Sequence, residues 1–169
     1  PRLMNLPLQI ALLGSGDPRF EEALQHWGKL FPQRFAIRLG YDEARARLIE
    51  AGTDLFLMPS RFEPCGLNQM YSQRYGAIPL VRRAGGLADT VVNADAETLK
   101  DGTATGIVFD EATPDALYHA VERALALYAR PTHWRKVQKN GMAKDFSWEI
   151  SARQYEALYD HALQDRLAG

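Results

Sequence analysis

The segment FEPCGLN, residues 62–68, places a carboxylate, a proline, the only cysteine and a glycine at four consecutive positions. It follows the apolar run DLFLM (54–58) and precedes a stretch of helical character. The first N–H groups of a helix have no partner within it and attract anions, and Gly66 lets the backbone come close to a ligand. Asn68 adds a donor for phosphate, whereas Glu63 repels phosphate and suits sugar hydroxyls. The segment therefore predicts a site for a sugar joined to a phosphate.

Two other interpretations of the same segment were weighed from the residues. Glu63 can cap the helix that follows while Pro64 only shapes the turn. Cys65 can act as a nucleophile, but no histidine lies near it in the sequence, and a small residue in a tight loop explains it equally well.

Strand-length apolar bursts alternate with stretches of helical period along the chain. The strand candidates are residues 8–14, 34–39, 54–58, 77–81 and 106–109. The helix candidates are residues 19–30, 42–51 with Asp42 as N-cap, 67–75, a helix starting at Thr113-Pro114, and two C-terminal helices at about 132–144 and 148–164. Alternating strands and helices predict an α/β fold, with a parallel sheet and helices on both faces. In such sheets ligands bind beyond the carboxyl ends of the strands, which is where residues 62–68 fall.

Composition and charge limit the classes of partner. With 169 residues, 46% of them hydrophobic, the chain is expected to form one globular domain over residues 1–169. A formal charge of -1 offers no general attraction to nucleic acid or to an anionic membrane. One cysteine and the lack of a long apolar run favour a cytoplasmic protein without a disulfide. The histidines at 26, 119, 133 and 161 show no metal-ligand spacing, so no metal site is predicted.

The stretch from Pro59 to Val91, PSRFEPCGLNQMYSQRYGAIPLVRRAGGLADTV, resembles the signature of bacterial glycogen synthases and plant starch synthases. The likeness extends through LLGSGDP (12–18), LGYDEARA (39–46), TGIVF (105–109) and DFSWEISARQYEALY (145–159), so it spans nearly the whole chain. The resemblance implies a retaining transferase that moves glucose from ADP-glucose to the non-reducing end of an α-1,4-glucan, without a metal or another cofactor. It also implies the Rossmann-like C-terminal half of a two-domain GT-B glycosyltransferase.

Position by position, the resemblance suggests roles for the matching residues. Glu63 corresponds to the family glutamate that contacts the donor glucose and supports the charge that develops on it. Tyr41 corresponds to the aromatic residue that stacks on adenine, and Asn68 stands where the family usually has threonine. The residues implied to bind ADP-glucose are Gly40, Tyr41, Glu63, Pro64, Cys65, Gly66, Leu67 and Asn68.

Other positions near this segment refine the prediction. Tyr71 stands where related sucrose- and lipopolysaccharide-type transferases often have a second glutamate, which favours the glycogen and starch synthase branch. Arg82 and Arg83 can face a diphosphate, but surface or packing roles are equally open. The pair Gly85-Gly86 is expected to form a tight turn beside the site.

The resemblance also predicts what residues 1–169 lack. The opening PRLMNLPLQIALLG resembles the end of the helix that follows the first strand of the family's domain. We therefore expect a fragment without that strand and helix, without the family's diphosphate-binding arginine and lysine, and without the N-terminal domain that binds the α-glucan acceptor. Such a fragment is expected to be inactive alone. A non-catalytic module that binds a nucleotide sugar or a glucan is the alternative. A phosphorylase-like enzyme is disfavoured because no lysine has motif support as a pyridoxal site.

Overall fold

The computed structural model describes residues 1–168, with side chains described through residue 166. The strands are β1 (Ile10–Gly14), β2 (Phe35–Leu39), β3 (Leu55–Met58), β4 (Ile78–Arg82) and β5 (Ile107–Phe109). The helices are α1 (Pro18–Leu30), α2 (Glu43–Gly52), α3 (Asn68–Tyr75), α4 (Gly86–Thr90), α5 (Ala96–Asp101), α6 (Pro114–Tyr128), α7 (Pro131–Met142) and α8 (Trp148–Ala168). A short 3-10 turn, Arg2–Asn5, precedes β1.

Short polar side chains fix where several helices begin. Asp42 accepts a hydrogen bond from the N–H of Arg45 at 3.0 Å, and Thr113 accepts one from the N–H of Ala116 at 3.2 Å. Such caps satisfy N–H groups that the helix itself leaves without partners. Both predicted helix starts are therefore confirmed.

All strand pairs are parallel, but the strands form two separate sheets. β1 pairs with β2, while β3, β4 and β5 form a second sheet with β4 in the middle. The sequence predicts strands and their direction, and both are confirmed. The division into two sheets was not predicted, because pairing between distant strands leaves no local pattern in the sequence.

The core lies on the two faces of the three-stranded sheet. On one face Ile78, Leu80, Ile107 and Phe109 pack against α6 and α7. On the other face Val81 and Val108 pack against Leu87 of α4. Helices therefore cover both faces of a parallel sheet, as predicted.

Burial is uneven across the five strands. The residues of β4 and β5 are buried except for Arg82, whereas β1 and β3 are half-buried or exposed along their length. The apolar stripe of α8 is also exposed, with Tyr155, Leu158 and Tyr159 each 58–63% accessible. None of the helices within residues 1–168 has the length and hydropathy needed to cross a membrane.

Candidate functional site

The residues predicted to bind a ligand lie at the carboxyl ends of two strands. Residues 59–67 form the loop between β3 and α3, and Gly40-Tyr41 connects β2 to α2. The guanidinium of Arg47, in α2, lies 4.9 Å from the ring centre of Tyr71, in the first turn of α3. This contact packs the middle of α2 against the first turn of α3.

The beginning of α3 is uncapped by any side chain. Leu67 is its N-cap residue, and no side-chain oxygen bonds to the N–H groups of the first turn. Glu63 therefore does not cap this helix, and the interpretation of Glu63 as a helix cap is wrong. Asn68 is the first helical residue and is exposed. The N–H groups of the first turn of α3 thus have no side-chain cap. They lie at the positive end of the helix dipole, which favours a negatively charged ligand.

Glu63 is half-buried at the mouth of this loop. Its only hydrogen-bond partner among the described residues is the Ser60 hydroxyl, which donates to Oε2 at 3.5 Å, the outer limit for such a bond. Most of the acceptor capacity of the carboxylate therefore stays available, five residues ahead of the uncapped first residue of α3. Sugar hydroxyls are suitable donors for it.

The loop from Glu63 to Gly66 is packed against the backbone of Gly85 and Gly86. A Cβ atom at residue 85 would lie 1.7 Å from the carbonyl oxygen of Glu63, and one at residue 86 would lie 2.3 Å from that of Cys65. Gly85 also has φ 47°, a left-handed conformation that favours glycine. The N–H of Gly86 donates to the carbonyl of Pro64 at 3.3 Å. The predicted tight turn is therefore the support on which the loop rests.

A buried amide, Gln69, joins the same two segments, and sequence analysis missed it. Its Nε2 donates to the carbonyl of Gly66 at 2.9 Å and to the hydroxyl of Thr90 at 3.1 Å. The Thr90 hydroxyl in turn donates to the carbonyl of Gly86 at 2.7 Å. Gln69 is fully buried, although the sequence of α3 is mostly polar. No apolar spacing in that sequence indicates that this position faces the interior. The network holds the loop against the glycine turn.

The guanidinium groups of Arg82 and Arg83 bond to groups within the protein. The Arg82 guanidinium donates to the carbonyls of Ser60 at 2.7 Å and Arg61 at 2.6 Å. The Arg83 guanidinium pairs with the carboxylate of Asp110 at 2.7 Å. Both cations are engaged within the protein, which supports the packing interpretation of this pair over diphosphate binding.

The second loop places Gly40 and Tyr41 beside β1. The N–H of Gly40 donates to the carbonyl of Gly14 at 3.0 Å, and Gly40 has φ 108°, which glycine adopts without strain. The Tyr41 ring is 89% exposed. An exposed ring at a strand end is available to stack on a ligand.

One charged pair near this edge lies at the beginning of α1. Arg19 donates to Asp17, the N-cap residue of α1, and this bond lowers the pKa of that carboxyl, with the N–H of Arg19 adding to the effect. Among the side chains that the structure describes, no three His, Cys, Asp or Glu groups come close enough to hold a metal ion. Cys65 is an exposed free thiol.

The strands are parallel and helices cover them, and the loops after β2 and β3 lie at the carboxyl ends of strands, where such sheets bind ligands. This arrangement defines a Rossmann-like α/β domain. Residues 6–141 match the family model described as glycosyl transferases group 1. The chain belongs to this family.

Similar proteins agree with this assignment. The chain is 58% identical to glycogen synthase 1 of Methylococcus capsulatus over 99% of its own length, and 52% identical to a glycogen synthase of Nitrosomonas eutropha over 97%. It is also similar to the solved catalytic domain of starch synthase IV from Arabidopsis thaliana, bound to ADP and acarbose, with a TM-score of 0.81 and 38% identity over 96% of the chain. The chain spans only 33–34% of the length of these three proteins. Its fold is that of the C-terminal half of a GT-B glycosyltransferase.

Proposed function

We propose that residues 1–169 are the donor-binding domain of a glycogen or starch synthase. The whole enzyme transfers glucose from ADP-glucose to the non-reducing end of an α-1,4-glucan, with retention of configuration at the anomeric carbon. The observation that carries the proposal is the loop of residues 63–68. It joins a carboxylate to an uncapped helix end, in a chain 58% identical to a glycogen synthase.

Each part of the loop has a role in this proposal. The transfer breaks the bond between glucose C1 and a diphosphate oxygen and forms a bond from C1 to the oxygen of an acceptor hydroxyl, whose proton leaves with the ADP. Negative charge grows on the leaving diphosphate, where the N–H groups that begin α3 would stabilise it. Positive charge grows on the sugar, where the Glu63 carboxylate would support it. Asn68 is a further donor to phosphate at the same helix end.

The experiment uses a chimera of the Methylococcus capsulatus relative in which residues 1–169 replace the segment they match. We expect this chimera to incorporate labelled glucose from ADP-glucose into glycogen, and to do so more efficiently than from UDP-glucose. Binding of ADP or glycogen without incorporation would contradict the proposal and favour a non-catalytic binding module. Release of glucose 1-phosphate from glycogen by free phosphate would instead indicate phosphorylase-like chemistry.

Residues 1–169 alone are expected to bind ADP weakly and to transfer no glucose. One helix end supplies only part of the charge compensation that a diphosphate needs, and Arg82 and Arg83 are engaged elsewhere. Calorimetry with ADP, UDP and phosphate, followed by the glucose assay, checks both halves of the prediction. Measurable incorporation of glucose by residues 1–169 would overturn the two-domain account.

Tyr41 is proposed to stack on the adenine ring. We expect Tyr41→Ala in the chimera to weaken ADP binding by about 1–3 kcal/mol, the range for stacking of a base on an aromatic ring, with kcat at saturating donor largely retained. Tyr41→Phe is the matched control, because it keeps the ring and removes only the hydroxyl. Unchanged ADP affinity in Tyr41→Ala would show that adenine binds elsewhere.

A further inference from the structure

One buried side chain, Gln69, bonds to two successive carbonyls of the candidate loop. Its Nε2 donates to the carbonyl of Gly66 at 2.9 Å and to that of Cys65 at 3.3 Å. Gln69 is the second residue of α3, and its side chain is 0% exposed. Both loop carbonyls therefore point inward, toward this buried amide.

The direction of these carbonyls decides where the adjoining N–H groups point. In a planar trans peptide the C=O and the N–H point in opposite directions, and none of the described peptide bonds is cis. The N–H groups of Gly66 and Leu67 therefore point away from Gln69 and from the interior. Neither of them donates to a backbone carbonyl of the described residues.

The backbone conformation gathers these N–H groups on one side of the loop. Gly66 has φ 72°, in the left-handed region, whereas Leu67 has φ -115° and ψ -32°, in the right-handed helical region. Successive residues of opposite hand turn their N–H groups into a concavity that binds anions. The next donor along the chain is the N–H of Asn68, which begins α3.

The amide of Gln69 is not explained by stability alone. Its Oε1 is buried without a hydrogen-bond partner among the described residues. A buried acceptor without a partner destabilises a protein, and a methionine of similar size would avoid that penalty. What an amide supplies at this position, and methionine does not, is the pair of N–H donors that bond to the loop.

The hydroxyl of Thr90 selects the orientation of the amide. Nε2 of Gln69 donates to this hydroxyl at 3.1 Å, and the hydroxyl donates its own proton to the carbonyl of Gly86 at 2.7 Å. A hydroxyl has only one proton to donate, so it can only accept from Gln69. The amide therefore presents Nε2, and not Oε1, to this side and to the loop carbonyls.

We propose that Gln69 is a positioning residue for the transfer. It turns the peptides on either side of Gly66 so that the N–H groups of Gly66 and Leu67 face the phosphate joined to the donor sugar. Negative charge grows on this phosphate as its bond to the sugar breaks, and donors aligned beforehand stabilise that charge. The identity of the ligand rests on the proposed function, whereas the direction of the two N–H groups rests on the hydrogen bonds of Gln69.

Gln69→Met in the chimera tests the proposal, with Gln73→Met as the matched control. Gln73 is also buried in α3 and also has an Oε1 without a partner among the described residues. Its Nε2 donates to the carbonyls of Gln69 and Thr90, outside the loop. We expect Gln69→Met to weaken ADP binding and to lower kcat, each by about tenfold, because hydrogen bonds to charged groups are the strong ones. Gln73→Met makes the same chemical change and should leave both quantities unaltered.

A comparison of two nucleotides separates a change in N–H direction from general damage to the site. AMP lacks the second phosphate of ADP, to which the sugar of the donor is joined. Gln69→Met should therefore weaken the binding of AMP much less than that of ADP, as measured by calorimetry on the folded variants. Equal weakening of the two nucleotides would contradict the proposal.

A pair of variants at Thr90 provides a second test, which also decides the question if Gln69→Met does not fold. Thr90→Val removes the hydroxyl that orients the amide, whereas Thr90→Ser keeps it. Thr90→Val should weaken ADP binding and lower kcat, and Thr90→Ser should preserve both.

Two results would overturn the role of Gln69. They are unchanged ADP affinity and kcat in folded Gln69→Met, and equal values for Thr90→Val and Thr90→Ser. A parent chimera that binds ADP but transfers no glucose would instead overturn the proposed function, and the effect of Gln69→Met on ADP binding would still be measured.

Discussion

Glu63→Ala in the chimera is expected to lower kcat by about 30- to 1,000-fold, which corresponds to about 2–4 kcal/mol of transition-state stabilisation. The donor KM should change much less, because the carboxylate supports charge that appears only as the bond to the diphosphate breaks. The structure leaves this carboxylate available. Its one hydrogen bond to a described residue, Ser60, is long, and the beginning of α3 does not use it as a cap. Steady-state kinetics with varied ADP-glucose measure both quantities.

Two further variants separate the charge of Glu63 from its shape. Glu63→Gln keeps the size of the side chain and removes its charge, so we expect most of the loss in kcat to persist. Glu97→Gln makes the same change on an exposed first-turn residue of α5, and should leave kcat unaltered. Near-normal kcat in a folded Glu63→Ala variant would rule out the proposed role.

The strands and the longer helices could be predicted because their signals are local. Apolar runs mark the strands, and Asp42 and Thr113 mark helix starts through bonds to residues three positions away. The short helix α5 was not predicted, although Asp95 and Thr98 form a capping box at its start. A helix of six residues is too short to show the apolar period by which helices are recognised.

The support of the candidate site could not be predicted, because it joins residues far apart in sequence. Gly85 contacts the carbonyl of Glu63, and Gln69 bonds to Thr90, across separations of about 20 residues. The sequence suggests a turn at Gly85-Gly86, but not what the turn touches.

These long-range contacts fix the backbone of the loop that carries the Glu63 carboxylate. Residues 63–66 make no regular secondary structure, and a loop of this kind is normally more mobile than its neighbours. Here the glycine turn, the Gln69 amide and the Arg82 guanidinium each bind loop carbonyls. A loop held in this way has little backbone freedom left to lose, so binding of a ligand there would cost less entropy.

Gly85→Ala is expected to destabilise the protein and to displace the loop. The new Cβ would lie 1.7 Å from the carbonyl oxygen of Glu63, which is backbone and cannot rotate away. The strained backbone conformation costs about 1–3 kcal/mol and the overpacking a similar amount. We therefore expect a loss of about 2–5 kcal/mol in the free energy of unfolding of the chimera, measured by urea denaturation. Where the variant stays folded at low temperature, its ADP affinity should also fall.

Gly52→Ala is the matched control for this prediction. A Cβ at residue 52, the last residue of α2, meets no atom within 4 Å, and its φ is not positive. The same chemical change there should be neutral or stabilise by up to about 1 kcal/mol, because it restricts only the unfolded chain. Equal stability and equal ADP affinity for Gly85→Ala and Gly52→Ala would show that the glycine turn does not support the loop. Other contacts would then have to order the loop of residues 63–68, and the bound ligand itself would have to position Glu63.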